Sequence, residues 1–402
     1  MRTNPGPPLR RTIVGALALG ALCVPAAAGA ATPPPAPPAQ LAAPAPSVGA
    51  AQAGPQQTGQ GTAAAPGEAR DVPFAQRYHA LQHGGIVRAA NSSISCRATS
   101  PACANARAGR SVAGARAKGP RAGVNGDFDM FYVDTDTDPN TYNSSRAEVR
   151  TPKGSRVSYA RLYWGGNLRV GEQKPPKDNG RVLFAEPGGS YKAVTADTVV
   201  GHRAAYGADA YQASADVTRL VRDSGPGQYT VAQVNVAMGR SAAGAWGGWT
   251  LVVAYENPAE PLRHLALWDG FGPLGAGADR TVRLRGMPFP AKASGRAGLV
   301  AYDGDRGTTG DSLTLSTGRT ATTVLGDGTN PGADVLNSTI SEPGRAVSGR
   351  TPAYANTLGY DSDVFELGKA LRRGGDQLAF RLVSQRDAAW AGALFVAVDA
   401  RK

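Results

Sequence analysis

Asp216-Val-Thr-Arg-Leu-Val, Trp246-Gly-Gly-Trp-Thr-Leu-Val-Val-Ala-Tyr-Glu256 and Leu267-Trp-Asp-Gly-Phe271 belong to one stretch, residues 216 to 271, on which the fold turns. Its core, Trp249 to Tyr255, is short, β-branched and aromatic, bounded by glycines before and Asn257-Pro258 after, which is a strand signal. Tyr229-Thr-Val-Ala-Gln-Val-Asn-Val236 before it carries the same signal. Asp216 opening an apolar-periodic run that Gly225-Pro-Gly227 closes predicts a capped helical turn or two.

Working outward, this order returns near the C-terminus. Asp363-Val-Phe-Glu-Leu-Gly-Lys-Ala-Leu371 is followed by Gly374-Gly375, then Gln377-Leu-Ala-Phe-Arg-Leu-Val383 and Trp390-Ala-Gly-Ala-Leu-Phe-Val-Ala-Val398. Pairing the strand ending at Trp164 with that around Trp268 makes each copy run strand, Asp-Val, glycine turn, strand, Trp-initiated strand. The expected architecture is all-β, two antiparallel β-sandwich (jelly-roll-like) domains arising by duplication, spanning 72–257 and 258–402. Val157-Ser-Tyr-Ala-Arg-Leu-Tyr-Trp164 adds a strand, and Arg181–Phe184 with Tyr191–Val194 around Pro187-Gly-Gly189 a hairpin.

Composition agrees. The 402 residues include 52 Gly and 30 Pro, and only 18% are charged, a balance of many turns and few long helices. The formal charge is +12. Removing an N-terminal leader carrying Arg2, Arg10 and Arg11 leaves roughly +9.

That leader is legible. Arg10-Arg11 precedes the apolar run Thr12 to Val24 and the small residues Ala28-Gly-Ala30, the layout of a signal peptide over 1–30. The general and twin-arginine export routes both accept it. Residues 31–71, beginning Ala31-Thr-Pro-Pro-Pro-Ala-Pro-Pro38, have no apolar periodicity and form a disordered Pro/Ala/Gln linker. The expected localisation is secreted or extracellular, with cell-wall association, no stable membrane insertion after signal cleavage and no nucleic-acid partner.

Of three cysteines, Cys96 and Cys103 remain after cleavage, and their spacing in an exported chain predicts a disulfide pinning a local hairpin. Two clusters of aspartates place carboxylates as calcium loops do: Asp134, Asp136 and Asp138, and Asp303, Asp305 and Asp311. Pro139 and Ser145 stand where an EF-hand needs Gly and Glu, and Asx turns are the other use of such clusters. Calcium is the one cofactor the sequence offers. Between Asp71 and Asp127 there is no acidic residue, and Arg107, Arg110, Arg116, Lys118 and Arg121 there either bind an anionic wall polymer or glycan or form a solvated loop.

No Gly-x-Ser-x-Gly elbow, Walker loop, dinucleotide fingerprint or zinc spacing is present, and His79, His83, His202 and His264 are scattered. Five tryptophans in strand settings are core candidates before they are stacking platforms. Over residues 72 to 390, Tyr132-Val-Asp-Thr-Asp-Thr-Asp138-Pro, Leu162-Tyr-Trp-Gly165, Asp216-Val-Thr218, Gly248-Trp-Thr-Leu-Val-Val253, Gly304-Asp-Arg-Gly307, Asn337-Ser-Thr-Ile340 and Leu358-Gly-Tyr-Asp361 resemble a family of uncharacterised exported actinobacterial surface proteins. In that family a β-rich module often precedes repeated domains. The resemblance implies export and a surface role, with no catalytic residues. The functional expectation is a secreted, non-catalytic binding or structural module; the alternative is an extracellular carbohydrate-active enzyme with a calcium-stabilised β-sandwich, using carboxylates such as Glu148, Glu256 and Glu366.

Overall fold

A computed structural model describes residues 72–401 except 98, 114–119, 276–278 and 320. The signal peptide read at 1–30 and the linker read at 31–71 lie outside the described residues. The chain is all-β, and its first half lays down strands in jelly-roll order. Ala75–Ser92, Arg156–Asn167, Ala208–Asp216 and Gly247–Glu256 join an inner sheet, while Ser144–Val149, Arg181–Ala185, Lys192–Thr195 and Gly227–Ala232 join an outer one. The second half repeats that sequence of moves. Leu262–Leu274, Gly295–Tyr302, Tyr360–Glu366 and Ala389–Asp399 are inner, and Asp279–Phe289, Ser312–Ser316, Thr323–Leu325 and Gly375–Val383 are outer.

The repeat is shifted from the one expected. The counterpart of Arg156–Asn167, by its place in the sheet, is Gly295–Tyr302; the strand containing Trp268 matches Ala75–Ser92 instead. Trp-x-Gly punctuation occurs at two different strand ends, so it misaligned the copies. The helical turns expected after Asp216 are present, but those expected after Asp363 are not. Asp216 ends its strand, and its carboxylate accepts from the Thr218 amide at 2.8 Å, while the helix is Thr218–Ser224. Asp363 lies inside the strand Tyr360–Glu366.

The two inner sheets are one 11-stranded sheet, joined by the first strand. Gly84 to Ser92 pairs with Glu256 to Gly248, and Ala75 to His83 pairs with Asp269 to Leu262. The partner changes at Gly84, whose φ of +144° and whose missing Cβ, which would lie 1.9 Å from the Tyr255 carbonyl oxygen, admit only glycine. Strands that switch sheets make corners in this way. Beyond the corner the two halves of the large sheet pack face to face. Trp249, Leu251 and Val253 enter the first sandwich's core, while Val252 from the same strand enters the central seam. Leu394, Val396 and Val398 enter the second core, and Trp390, Ala393 and Phe395 the seam.

With both faces covered, these strands need apolar residues at every position, which is why they appear in sequence as unbroken runs instead of alternating ones. The seam is aromatic: Trp246 lies 5.9 Å from Tyr302 and 6.3 Å from Trp390, and Phe271 stacks on Trp390 at 5.5 Å. Each such pair adds roughly 0.5 to 1.5 kcal/mol beyond burial. Polar ties cross it too. Gln212 donates to the carbonyls of Gly270 and Gly392 and accepts from Tyr302, and Asp269 accepts from Tyr163 at 2.9 Å and from Arg77 at 2.8 Å. The halves expected as separate domains thus share a sheet and a core, within one compact unit, Thr62–Lys402.

Candidate functional site

Two features on the second sandwich bring chemistry-bearing side chains together. The first is the outward face of its four-stranded sheet. Along Asp279–Phe289, Val282 and Leu284 point into the core, so Thr281, Arg283 and Arg285 point out. Gly375–Val383 and Ser312–Ser316 alternate likewise, and the register sets Arg283 opposite Ala379, Thr281 opposite Arg381 and Arg285 opposite Gln377. The result is a groove of about 340 Å³ with an alanine floor, hydroxyls from Thr314 and Ser316, and three guanidinium groups. Arg381 is paired with Asp279 at 2.6 Å. Arg283 and Arg285 enter no ion pair among the described residues, and both are exposed.

The second feature is a knot of loops at one end of the same sandwich. Residues 303–311 follow the strand Gly295–Tyr302, and they meet residues 327–339, the chain entering Tyr360–Glu366, and the 384–388 turn. They carry Asp303, Asp305, Asp311, Asp334, Asp361, Asp363 and Asp387. Asp311, Asp361 and Asp363 are fully buried. Some of their oxygens are engaged. Asp361 accepts from the Thr339 amide at 3.1 Å, Asp363 from Thr339 and Ser341 hydroxyls at 2.9 and 2.7 Å, Asp334 from the Gly307 amide at 2.9 Å, and Asp387 from the Asp305 amide at 2.6 Å. Asn125, from the first half, donates to Asp303 at 2.8 Å and so ties the knot to the other sandwich.

Other oxygens have no hydrogen-bond partner although buried: Oδ1 of Asp305 and Asp334, Oδ2 of Asp361 and Asp363, and both of Asp311. Burial pushes the carboxyls up. Asp311 rises to about 7, Asp363 and Asp387 to about 6, and Asp303, Asp305 and Asp361 well above the ordinary range, with neighbouring carboxylates adding to the rise in Asp303, Asp305 and Asp361. The Arg306 guanidinium is itself pushed down by burial, against the pull of Asp361, Asp334 and Asp363. It makes no ion pair within 4 Å among the described residues; its terminal nitrogen donates to the Ala355 carbonyl at 2.7 Å. Asp303, Ser338 and Leu358 all hold left-handed backbone, with φ near 60°, within this knot.

The residues singled out from sequence fall in different places. Asp303, Asp305 and Asp311 are brought together; the partners that complete their surroundings, Asp334, Asp361, Asp363 and Asp387, were missed because they arrive from distant segments, Asp387 lying 82 residues beyond Asp305. Asp134, Asp136 and Asp138 form a turn network: Asp136 accepts from the Asp138 amide, Thr141 and Tyr191, Asp138 from Asn140, and Asp134 from Ser144.

Arg107 is turned inward, donating to Ser95 and the Cys96 carbonyl and lying over Tyr354. Arg121 pairs with Asp127, Arg110 is exposed, and Arg116 and Lys118 lie outside the described residues. Cys96 and Cys103 are bonded, tying the strand Ile94–Cys96 to the helix Pro101–Arg107 where a hairpin was expected. Glu148, Glu256 and Glu366 do not converge; each pairs with its own arginine, Arg150, Arg156 and Arg296. All five tryptophans are buried.

No family model and no curated protein matches the chain. Among solved structures it is similar to a chain in the atomic structure of Sulfolobus Turreted Icosahedral Virus, at 10% identity and a TM-score of 0.20, over 63% of this chain and 86% of that one. It is also similar to the STIV MCP crystal structure, at 10% identity and a TM-score of 0.19, over 63% and 92%. A likeness at this level says nothing of function.

Proposed function

We propose that the protein is a secreted, non-catalytic double β-sandwich that works outside the cell, at the wall, as a binding and structural module for an anionic polymer. The observation that carries this reading is the groove over Arg283, Arg285 and Arg381, where fixed positive charge and hydroxyl donors line an open, sheet-floored channel suited to an extended chain bearing phosphate or carboxylate groups. It moves the basic surface from the 107–121 segment, whose arginines 107 and 121 are committed to internal partners, to the sheet face. The leader at 1–30 and the bonded cysteines support export to an oxidising compartment.

The test is co-sedimentation of the purified chain with isolated bacterial cell-wall material. Binding should weaken when ionic strength rises from about 0.05 to 0.5 M, and R283Q/R285Q should weaken it by about tenfold at low salt while the fold is retained. Binding indifferent to salt and to both substitutions would overturn the assignment of the groove.

A further inference from the structure

Among the described residues no three His, Cys, Asp or Glu side chains group closely enough to hold a metal ion, the aspartate knot included. The unbalanced charge that lines a cavity is positive. Arg88, on the shared first strand, is 4% exposed, and burial works against its charge. Its Nη2 donates to the main-chain carbonyls of Ser341 and Ser362, both at 2.6 Å, while its buried Nε has no hydrogen-bond partner and Nη1 is likewise unengaged among the described residues. Two carbonyls orient a guanidinium without neutralising it. Glu342 and Asp363 pull on Arg88, yet it forms no ion pair within 4.0 Å among the described residues. Arg350, equally buried, adds to the surplus: it donates to neutral acceptors, among them the Val347, Pro352 and Tyr354 carbonyls, and burial, then Arg88, push it down to about 10.

The cavity that Arg88 lines, of about 310 Å³, lies between the halves. Glu148 and Arg150 form one wall and satisfy each other at 2.6 Å. Glu342 and Arg345 form another, set opposite one another by the hairpin that joins Ile340–Glu342 to Arg345–Ala346, and neither enters an ion pair among the described residues. With the Glu148 pair set aside, Arg88 and Arg345 stand against Glu342, a net positive charge that suits a single negative one. A phosphate dianion there would face the Glu342 and Glu148 carboxylates at close range. A carboxylate is planar and accepts parallel N–H bonds from guanidinium groups. Glu342 calls for an N–H donor next to that carboxylate, and Val87, Ala346 and Val347 add small apolar surface that fits a short side chain.

We infer that this cavity binds a carboxylate carrying an adjacent N–H donor, the chemistry shared by a free amino acid and the C-terminus of a peptide, with Arg88 and Arg345 taking the carboxylate and Glu342 the N–H group. Such a ligand would bridge the two halves. The inference does not rest on the groove, which is lined by other residues on the outer sheet.

The experiment is calorimetry on the full chain with N-acetyl-Ala-Ala, its C-terminal amide, free alanine and inorganic phosphate as probes. N-acetyl-Ala-Ala or free alanine should bind at a single site per chain with a Kd of about 1 mM or tighter, and whichever binds more tightly identifies the source. The amide should bind at least about tenfold more weakly than the acid. R345Q should weaken binding by about threefold, and E342Q should narrow the preference over phosphate by about as much. R88Q should weaken it by at least about tenfold; should R88Q fail to fold, R345Q and the ratio of acid to amide decide. R283Q/R285Q, in the groove, should leave this Kd unchanged, which separates the two sites. No uptake of either carboxylate at about 10 mM, equal affinity for acid and amide, or phosphate bound as tightly as the acids overturns the site. So does binding unchanged in both R345Q and E342Q, the mark of an Arg88 kept only for its bonds to Ser341 and Ser362.

Discussion

Removing the Asp269 carboxylate should unlock the seam between the two sandwiches. Asp269 sits on a strand of the second half, nearly fully buried, and accepts from Tyr163 of the first half and, through both oxygens, from Arg77 of the shared strand; Arg161 stands 3.4 Å away. In Asp269→Ala the Tyr163 hydroxyl, itself fully buried, loses its acceptor, at about 1 to 3 kcal/mol. Arg77 is about a third exposed and turns to solvent, so its pairing counts for no more than about 1 kcal/mol. Arg161 keeps Asp197 but loses its second anion in a buried setting, for about another 1 kcal/mol. The expected total is about 2 to 5 kcal/mol, with Asp269→Asn costing about half because its carbonyl still accepts from Tyr163. Urea unfolding followed by tryptophan fluorescence measures it, since both halves carry tryptophans. A loss below about 1 kcal/mol for Asp269→Ala would refute the claim that this carboxylate ties the halves.

Two further outcomes follow from the geometry. Stability should fall as pH rises from about 4 to about 7: Asp311 titrates at about 7 and Asp363 and Asp387 at about 6 against an ordinary 3.8, so in that window the folded chain holds protons the unfolded chain has released. Melting temperatures at about pH 4.5, 6 and 7.5 read this directly, and a profile rising with pH would show that the carboxyls are not held up by burial. Gly84→Ala should cost about 3 kcal/mol or more, because its Cβ would strike the Tyr255 carbonyl oxygen at 1.9 Å in a backbone conformation L-residues avoid; a thermal melt within about 1 °C of wild type would mean that the corner yields.

The strands were legible because burial on two faces writes itself as unbroken apolar runs, as at Trp249–Tyr255 and Trp390–Val398. The repeat was legible through Asp-Val pairs and glycine turns, but its alignment was not. Trp-x-Gly occurs at Trp164 and Trp268 for different reasons: Gly165 and Gly166 give room to neighbouring strands, whereas Gly270 lies against Phe74. The corner at Gly84-Gly85 looked like any loop glycines, since nothing local says that a strand continues through them. The acidic knot was half legible. Asp303, Asp305 and Asp311 are neighbours in sequence; Asp334, Asp361 and Asp387 reach them only through sheet pairing. Asp363 was hidden in a run expected to form a helical turn.

The first strand also sets the order in which the molecule can be made. Ala75–Ser92 is synthesised early, yet its partners, Gly248 to Glu256 and Leu262 to Asp269, come some 170 residues later, and the edge of the first outer sheet waits longer still, for Arg350–Thr351. Long-range pairing of this kind is slow, and until it forms an apolar strand stands with open edges. The first jelly roll has its core within residues 87 to 253, but its seam face stays uncovered until the second half emerges, and the second needs Ala75–His83 from the start of the chain. A truncation after Glu256 would leave Ala75–His83 without its partner and the aromatic seam face of the inner sheet uncovered.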